Sequence, residues 1–325
     1  MSLRLRAGLT LLATIASLAA TAPAGGATAH YLAGSTCTAF PADNYWHADI
    51  SRLPVDSRSA TWLSNMSPTR NLHPDFGPSY GAQPVPYGIP ITYVDGTHPK
   101  VSVTFTYASE SDNVLYPLGS DTRIEGGWAS TGDRHAIIVD KSTCRLYELW
   151  NTRRLSNGTW TAGSGATWSL TSDALRPAGW TSADAAGLAS LPGLLRLGEV
   201  ENNYIDHAIR FTTNSTQKAY IWPARHQAGS TTSTAYPPMG ARFRLKASFP
   251  ISSYQPDTQN VLRAMKKYGL VLADNGSPWY FQGTANGNWP STLLDELKTI
   301  PASAFEAVDT SLLEVSVNSG QARVY

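Results

Sequence analysis

The apolar residues of this chain fall in short runs, each closed by Gly, Asn, Ser or Pro, and that punctuation leaves little room for long helices. The clearest run is Lys100-Val101-Ser102-Val103-Thr104-Phe105-Thr106-Tyr107, where apolar and polar side chains alternate with the period of a half-buried strand. Residues 89–94, 135–140, 144–150, 207–213 and 219–222 are further β-rich runs. Residues 241–246 alternate so as to put Arg242, Arg244 and Lys246 on one strand face, expected to be solvated. Many short strands at this spacing predict a mainly β chain, a sandwich or jelly-roll-like single domain with a few C-terminal helices.

The helices are expected at 256–268, with Val261, Leu262, Met265 and Tyr268 at helical spacing and Gly269 as C-cap, and at 292–300. Between them two apolar runs flank Asp274-Asn275-Gly276-Ser277-Pro278, which predicts a hairpin whose turn uses left-handed backbone at Asn and Gly. Residues 35–81 are rich in Pro, Asn, Ser and Asp but carry Phe40, Tyr45, Trp46, Trp62 and Phe76, the pattern of an ordered wrapping segment. Residues 171–206 form a long connection with Pro, Gly and Asp-Ala-Ala-Gly elements, and are the expected rim of a cleft.

Arg4 and Arg6 precede an apolar run from Leu9 to Ala20, and small residues follow, ending in Ala27-Thr28-Ala29. This is the three-part plan of a secretory signal peptide over residues 1–29, leaving 30–325 as one secreted β-rich domain. Ala22-Pro23-Ala24 offers a competing cleavage site that would start the chain at Gly25. No segment reaches the roughly 20 apolar residues of a membrane span. Loss of Arg4 and Arg6 takes the formal charge from +1 to −1, which argues against nucleic acid as a partner. An exported chain permits Cys37 and Cys144 to pair; the bridge would close about a hundred residues and contribute about 4 to 5 kcal/mol.

No nucleophile elbow, zinc helix, phosphate loop or dinucleotide fingerprint occurs, so no cofactor and no metal is expected. What remains is acid–base chemistry. Glu125 sits between Arg123 and two glycines, where backbone can approach a ligand. Glu199 and Glu201 would share a face if extended and diverge in a helical turn. Asp206 and His207 open an apolar run; Asp206 and Arg210 would lie on one face as an internal salt bridge. Trp222, Arg225 and His226 bring a stacking face, a fixed cation and a titratable ring within five residues, suited to holding a sugar. Asp274 is a further cleft candidate, although the turn accounts for it. His30, if exposed by cleavage after Ala29, would supply the amine and imidazole of a copper brace.

Several phrases resemble those of a family of secreted bacterial β-rich proteins: Phe40-Pro41-Ala42-Asp43-Asn44, Gly132-Asp133-Arg134-His135, Trp180-Thr181-Ser182-Ala183-Asp184-Ala185-Ala186-Gly187, Trp222-Pro223-Ala224-Arg225-His226 and Ala273-Asp274-Asn275-Gly276. The resemblance implies one domain over most of the exported chain and brings no activity with it.

The expectation is an extracellular carbohydrate-active enzyme, a glycoside hydrolase using carboxylate acid/base chemistry on a poly- or oligosaccharide, acting as a monomer. Glu125, Asp206, His207, Glu199 and Glu201 are the catalytic candidates, with Arg123, Arg210, Trp222, Arg225 and His226 binding substrate. A polysaccharide lyase would instead set His beside Arg. A carbohydrate-binding or cell-surface interaction protein would present aromatics without close titratable groups.

Overall fold

The computed structural model describes residues 29–80 and 85–325. The expected leader, apart from Ala29, and the alternative start at Gly25 lie outside the described residues. The chain is mainly β, in several sheets with few helices. A six-stranded mixed sheet has the order His73–Asp75, Tyr280–Gln282, Ile209–Thr213, Leu270–Asn275, Arg242–Leu245, Phe305–Val308. A four-stranded sheet has the order Ser164–Ser169, Arg145–Trp150, Ala136–Asp140, Ile91–Val94. Among the described residues four ladders are parallel: 73–75 with 280–282, 209–213 with 270–275, 91–94 with 136–140, and 103–105 with 160–162. Strands 136–140 and 209–213 are buried along their whole length, and Ala136 to Val139 accordingly reads as a continuous apolar run rather than an alternating one.

One hydrophobic core joins the two larger sheets, with Ile137, Val139, Leu146 and Trp168 from one and Phe211, Phe243, Leu272 and Phe281 from the other. Each such side chain contributes about 1.5 to 3 kcal/mol by leaving water. A second core cluster lies on the outer face of the four-stranded sheet, where Ile138, Tyr147 and Leu149 meet Tyr116, Trp160 and Ala162. It is covered by the small sheet of Val103–Phe105, Trp160–Ala162 and Arg153–Arg154. The alternating run at 100–107 is thus a three-residue edge strand, plus a bridge from Val101 to Tyr116. Residues 219–222 form no strand: Tyr220 makes one bridge to Met239, and Pro223 has no N–H to continue a ladder.

The wrapping segment holds a short 3-10 turn at Tyr45–His47 and helix α1 (Ser59–Ser64), and it is pinned by the cations expected to face water. Arg242 is buried and donates to the carbonyls of Tyr45, Ala48 and Tyr268. Arg244 donates to the carbonyls of Ile50, Ser51 and Leu53 and pairs with Glu306. Lys246 donates to the carbonyl of Ser303 at an exposed position. The solvated face is therefore corrected to an anchoring one, because a guanidinium satisfies several carbonyls of a segment without ladder partners of its own. Cys37 and Cys144 are bridged, tying that segment to the strand 145–150.

Helix α2 is Leu197–Glu201; α3, Pro256–Lys267, and α4, Ser291–Leu297, stand where helical periodicity places them, and Gly269 has the left-handed φ of +73° expected of a C-cap. The hairpin does not form. Strand 209–213 lies between 270–275 and 280–282, and takes the loop's backbone through Gly276 N to Thr213 O and Trp279 N to Thr212 O. The left-handed residue is Trp279, at φ +65°, rather than Asn275 or Gly276.

Candidate functional site

Strand 270–275 carries a bulge against strand 209–213: Leu272 faces Phe211, and the next pair is Asp274 with Thr212. The skipped residue, Ala273, turns its carbonyl to the N–H of Ala186, so the bulge docks the 181–190 loop beside Asp274. Asp274, its own backbone neighbour Asn275 and the loop residues Thr181, Ser182, Ala183 and Ala185 line a cavity of about 410 Å³. Tyr107, Glu110, Asp133, Trp150, Ser164, His226 and Ala228 complete it. The long connection at 171–206 thus supplies much of one wall.

Beneath Asp274 lies a buried charge network. Asp184 is fully buried and holds Arg210 through both carboxylate oxygens, with Arg210 Nε donating at 2.9 Å to one of them. Burial and the neighbouring Asp184 carboxylate push the Asp274 carboxyl up to about 7, against the pull of Arg210, while the N–H of Asn275 donates to it at 2.7 Å. Asp274 is therefore an acid that keeps its proton near neutrality and reaches a cavity. Glu148, fully buried behind the same wall, accepts the N–H groups of Ser190 and Leu191, each at 2.8 Å; burial holds its carboxyl up, at about 7. It fixes the loop that carries Asp184.

The opposite part of the lining grows from the Gly132-Asp133-Arg134-His135 phrase. Arg134 is buried with φ +55° and donates to the carbonyls of Trp128, Ser130 and Thr152, which folds the loop. Asp133, one residue earlier, accepts from Trp150 Nε1 at 3.3 Å. It also lines a smaller cavity of about 160 Å³ with Asp75, Tyr87 and Glu125. His135, one residue later, points inward, its Nδ1 at 2.6 Å from Glu125 Oε2 and its Nε2 at 3.2 Å from the carbonyl of Ala183. Both partners are acceptors, so the imidazole carries both protons; burial opposes this charge, but Glu125 overrides it and raises His135 to about 9. Burial raises Glu125 in turn, and the imidazolium more than compensates, leaving its carboxyl below the usual range.

At the rim, the rings of Tyr107 and Trp150 stack with centroids 6.3 Å apart, and Tyr107 is half exposed. Glu110 accepts from the N–H of Thr181 at 3.1 Å and lies 3.7 Å from His226 Nε2; His226 Nδ1 is 2.8 Å from the carbonyl of Ala185. The cavity offers three carboxylates, one imidazole and two aromatic faces. None of its lining residues is Arg or Lys. Another cavity, of about 440 Å³, is lined by Val85, Pro86, Pro90 and Trp128 with Asp121 and Arg123, and has little of this chemistry.

The residues singled out in the sequence divide among separate places. Glu125 backs the cavity of about 160 Å³, and only His226 of the Trp222, Arg225 and His226 group reaches the one of about 410 Å³ that holds Asp274. Trp222 donates from Nε1 to the carbonyl of Ser319, and Arg225 is buried, donating to the carbonyls of Arg176 and Val317 and to Asn318. Arg210 pairs with Asp184, and the expected pair with Asp206 is corrected: Asp206 lies before the strand begins, where the alternation of faces does not extend. Glu199 and Glu201 sit on α2, whose helical turn buries the first and exposes the second.

Glu199, Asp206 and His207 instead form a second cluster, their ligand-type atoms within 4.8 Å of one another, a set that could hold a metal ion. Each already has protein partners. Arg196 pairs with Glu199; His207 Nε2 lies 3.1 Å from Glu199 Oε2 and its Nδ1 2.8 Å from the carbonyl of Ala208. His30 takes up Asp206.

Asp274, Glu110 and Trp150 were missed as a group because they come together only through the bulge and the loop it docks. The Asp-Asn-Gly tripeptide offered a signal for Asp274, overruled by the hairpin reading. Comparison with protein-family models, with curated proteins and with solved structures finds no match to this chain.

Proposed function

We propose that this chain is an extracellular carbohydrate-active enzyme, a glycoside hydrolase whose general acid is Asp274. The observation that carries this reading is the cavity itself: a carboxyl that stays protonated to about pH 7 shares its lining with two more carboxylates and a stacked aromatic pair. A glycosidic oxygen needs a proton as it leaves, and an acid is suited to give it when its pKa lies near the working pH. A second carboxylate then serves as base or nucleophile. Asp133 and Glu110 are the groups available for it, and Tyr107 with Trp150 offers a face for sugar stacking. The two larger sheets over one core make a sandwich the arrangement we favour, and the disulfide with the leader-like N-terminus supports export.

The lyase reading loses ground on one point. Neutralising a uronate carboxylate calls for a cation or an amide in the site; the cavity lining has neither Arg nor Lys, and its one side-chain amide, Asn275, already donates to the carbonyl of Ala228. Arg210 and Arg225 are buried and engaged, and Arg123 lines a different cavity.

The test is a panel of polysaccharides with the purified protein, reading reducing ends and unsaturated products together. Hydrolytic fragments that vanish in Asp274→Asn support the proposal; unsaturated fragments, or binding with no cleavage, replace it with the lyase or the recognition protein.

A further inference from the structure

We infer that the chain is cleaved between Ala29 and His30, and that the α-ammonium so formed docks as a structural ion on the buried carboxylate of Asp206. Two independent observations meet at this one bond. In the sequence, the small-x-small pattern Ala27-Thr28-Ala29 ends there, whereas Ala22-Pro23-Ala24 would leave five further residues before His30. In the structure, the His30 main-chain N donates to Asp206 Oδ2 at 2.8 Å, across 176 residues of chain. His30 Nδ1 lies 2.8 Å from the same oxygen, and the imidazole stacks on Tyr204 with centroids 4.5 Å apart. A carboxylate buried on one side and gripped by the main-chain nitrogen and Nδ1 of one residue is a built receptor for that residue. Its floor is closed by His47, whose Nδ1 donates to the Asp206 carbonyl at 2.8 Å and stands 3.8 Å from Asp206 Oδ1.

The covalent step is a hydrolysis. Water, directed by a leader peptidase, adds to the Ala29 carbonyl and the C–N bond breaks. Ala29 departs as a carboxylate, and the His30 nitrogen keeps the bonding pair and takes up both protons of the water, one as the amine leaves and one from the new carboxyl group, to become an ammonium. A neutral amide donor becomes a cation at 2.8 Å from an acceptor, which converts an ordinary hydrogen bond into a charge-assisted one.

The experiment compares protein secreted by an expressing host with purified chains that start at His30, at Gly25, and at His30 with its amine acetylated. The secreted protein is expected to have the intact mass of residues 30–325. The free-amine chain is expected to melt about 2 °C or more above the other two, a gap that closes in Asp206→Asn. Acetylation keeps the N–H and removes only the charge, so the comparison stands even if the Asp206 variant fails to fold. A mature start at Gly25, or equal melting temperatures for the free and acetylated chains, overturns the inference. So does a melting temperature that rises with added Cu(II) in the free-amine chain alone, because the amine would then be a metal ligand rather than an ion-pair partner.

Discussion

Asp274 is costly to keep where it is, and that cost has a sign. Its carboxyl titrates at about 7 in the folded protein and at about 3.9 in an unfolded chain, so the folded state holds the extra proton between those values. The associated stability is fully present below about pH 3.9 and is lost as pH rises through about 7. Asp274→Asn should therefore gain stability relative to wild type on going from pH 4 to pH 8, measured by paired chemical denaturation curves. His135 works in the same direction over a different window. Its folded-state value of about 9 lies above the ordinary 6.5, so its contribution is complete below 6.5 and fades as pH rises through about 9. Glu125→Gln removes the charge that sustains it and should cost about 2 kcal/mol at pH 7. An NMR titration should then find the imidazole titrating well below 9. These residues were visible in the sequence as types, but their coupling was not, because Asp184, Arg210 and Asp274 are brought together by tertiary contacts alone.

At the scale of elements, local patterns predicted best where one face of an element had one environment. Helix α3 and its C-cap follow from periodicity and one glycine. Gly269 has φ +73°, and a Cβ there would collide with the carbonyl oxygen of Phe243, so Gly269→Ala should destabilise by at least about 1 to 2 kcal/mol in thermal or urea unfolding. Patterns failed where a distant strand intervened. The 270–275 and 280–282 strands flank a turn-rich link, yet strand 209–213 separates them, and no local signal can report an inserted partner. The same insertion creates the bulge beside Asp274, so the feature hidden from the sequence is the one that builds the cavity wall. The Arg242 and Arg244 pair taught a related lesson: alternation places side chains on a face without saying what covers that face.

For the whole molecule, the Cys37–Cys144 bridge joins residues 107 apart and fastens the wrapping segment, whose own backbone makes few ladders. A Cys37→Ala, Cys144→Ala double variant should lose about 4 to 5 kcal/mol of unfolding free energy, with a steeper loss of protease resistance in residues 30–80 than elsewhere. The mainly β character, the late helices and the cleft-forming role of 171–206 were legible in composition and spacing; the sheet order was not, since parallel ladders between distant segments leave no mark on short-range periodicity. The central claim is that Asp274 delivers a proton to a departing sugar. The most direct measurement is kcat against pH for wild type and Asp274→Asn on whichever polysaccharide of the panel is cleaved. The account predicts a wild-type rate that falls as pH rises through about 7 and a variant slower by about 10²- to 10⁴-fold that has lost this limb. A variant with wild-type kcat and an unchanged pH profile would contradict it.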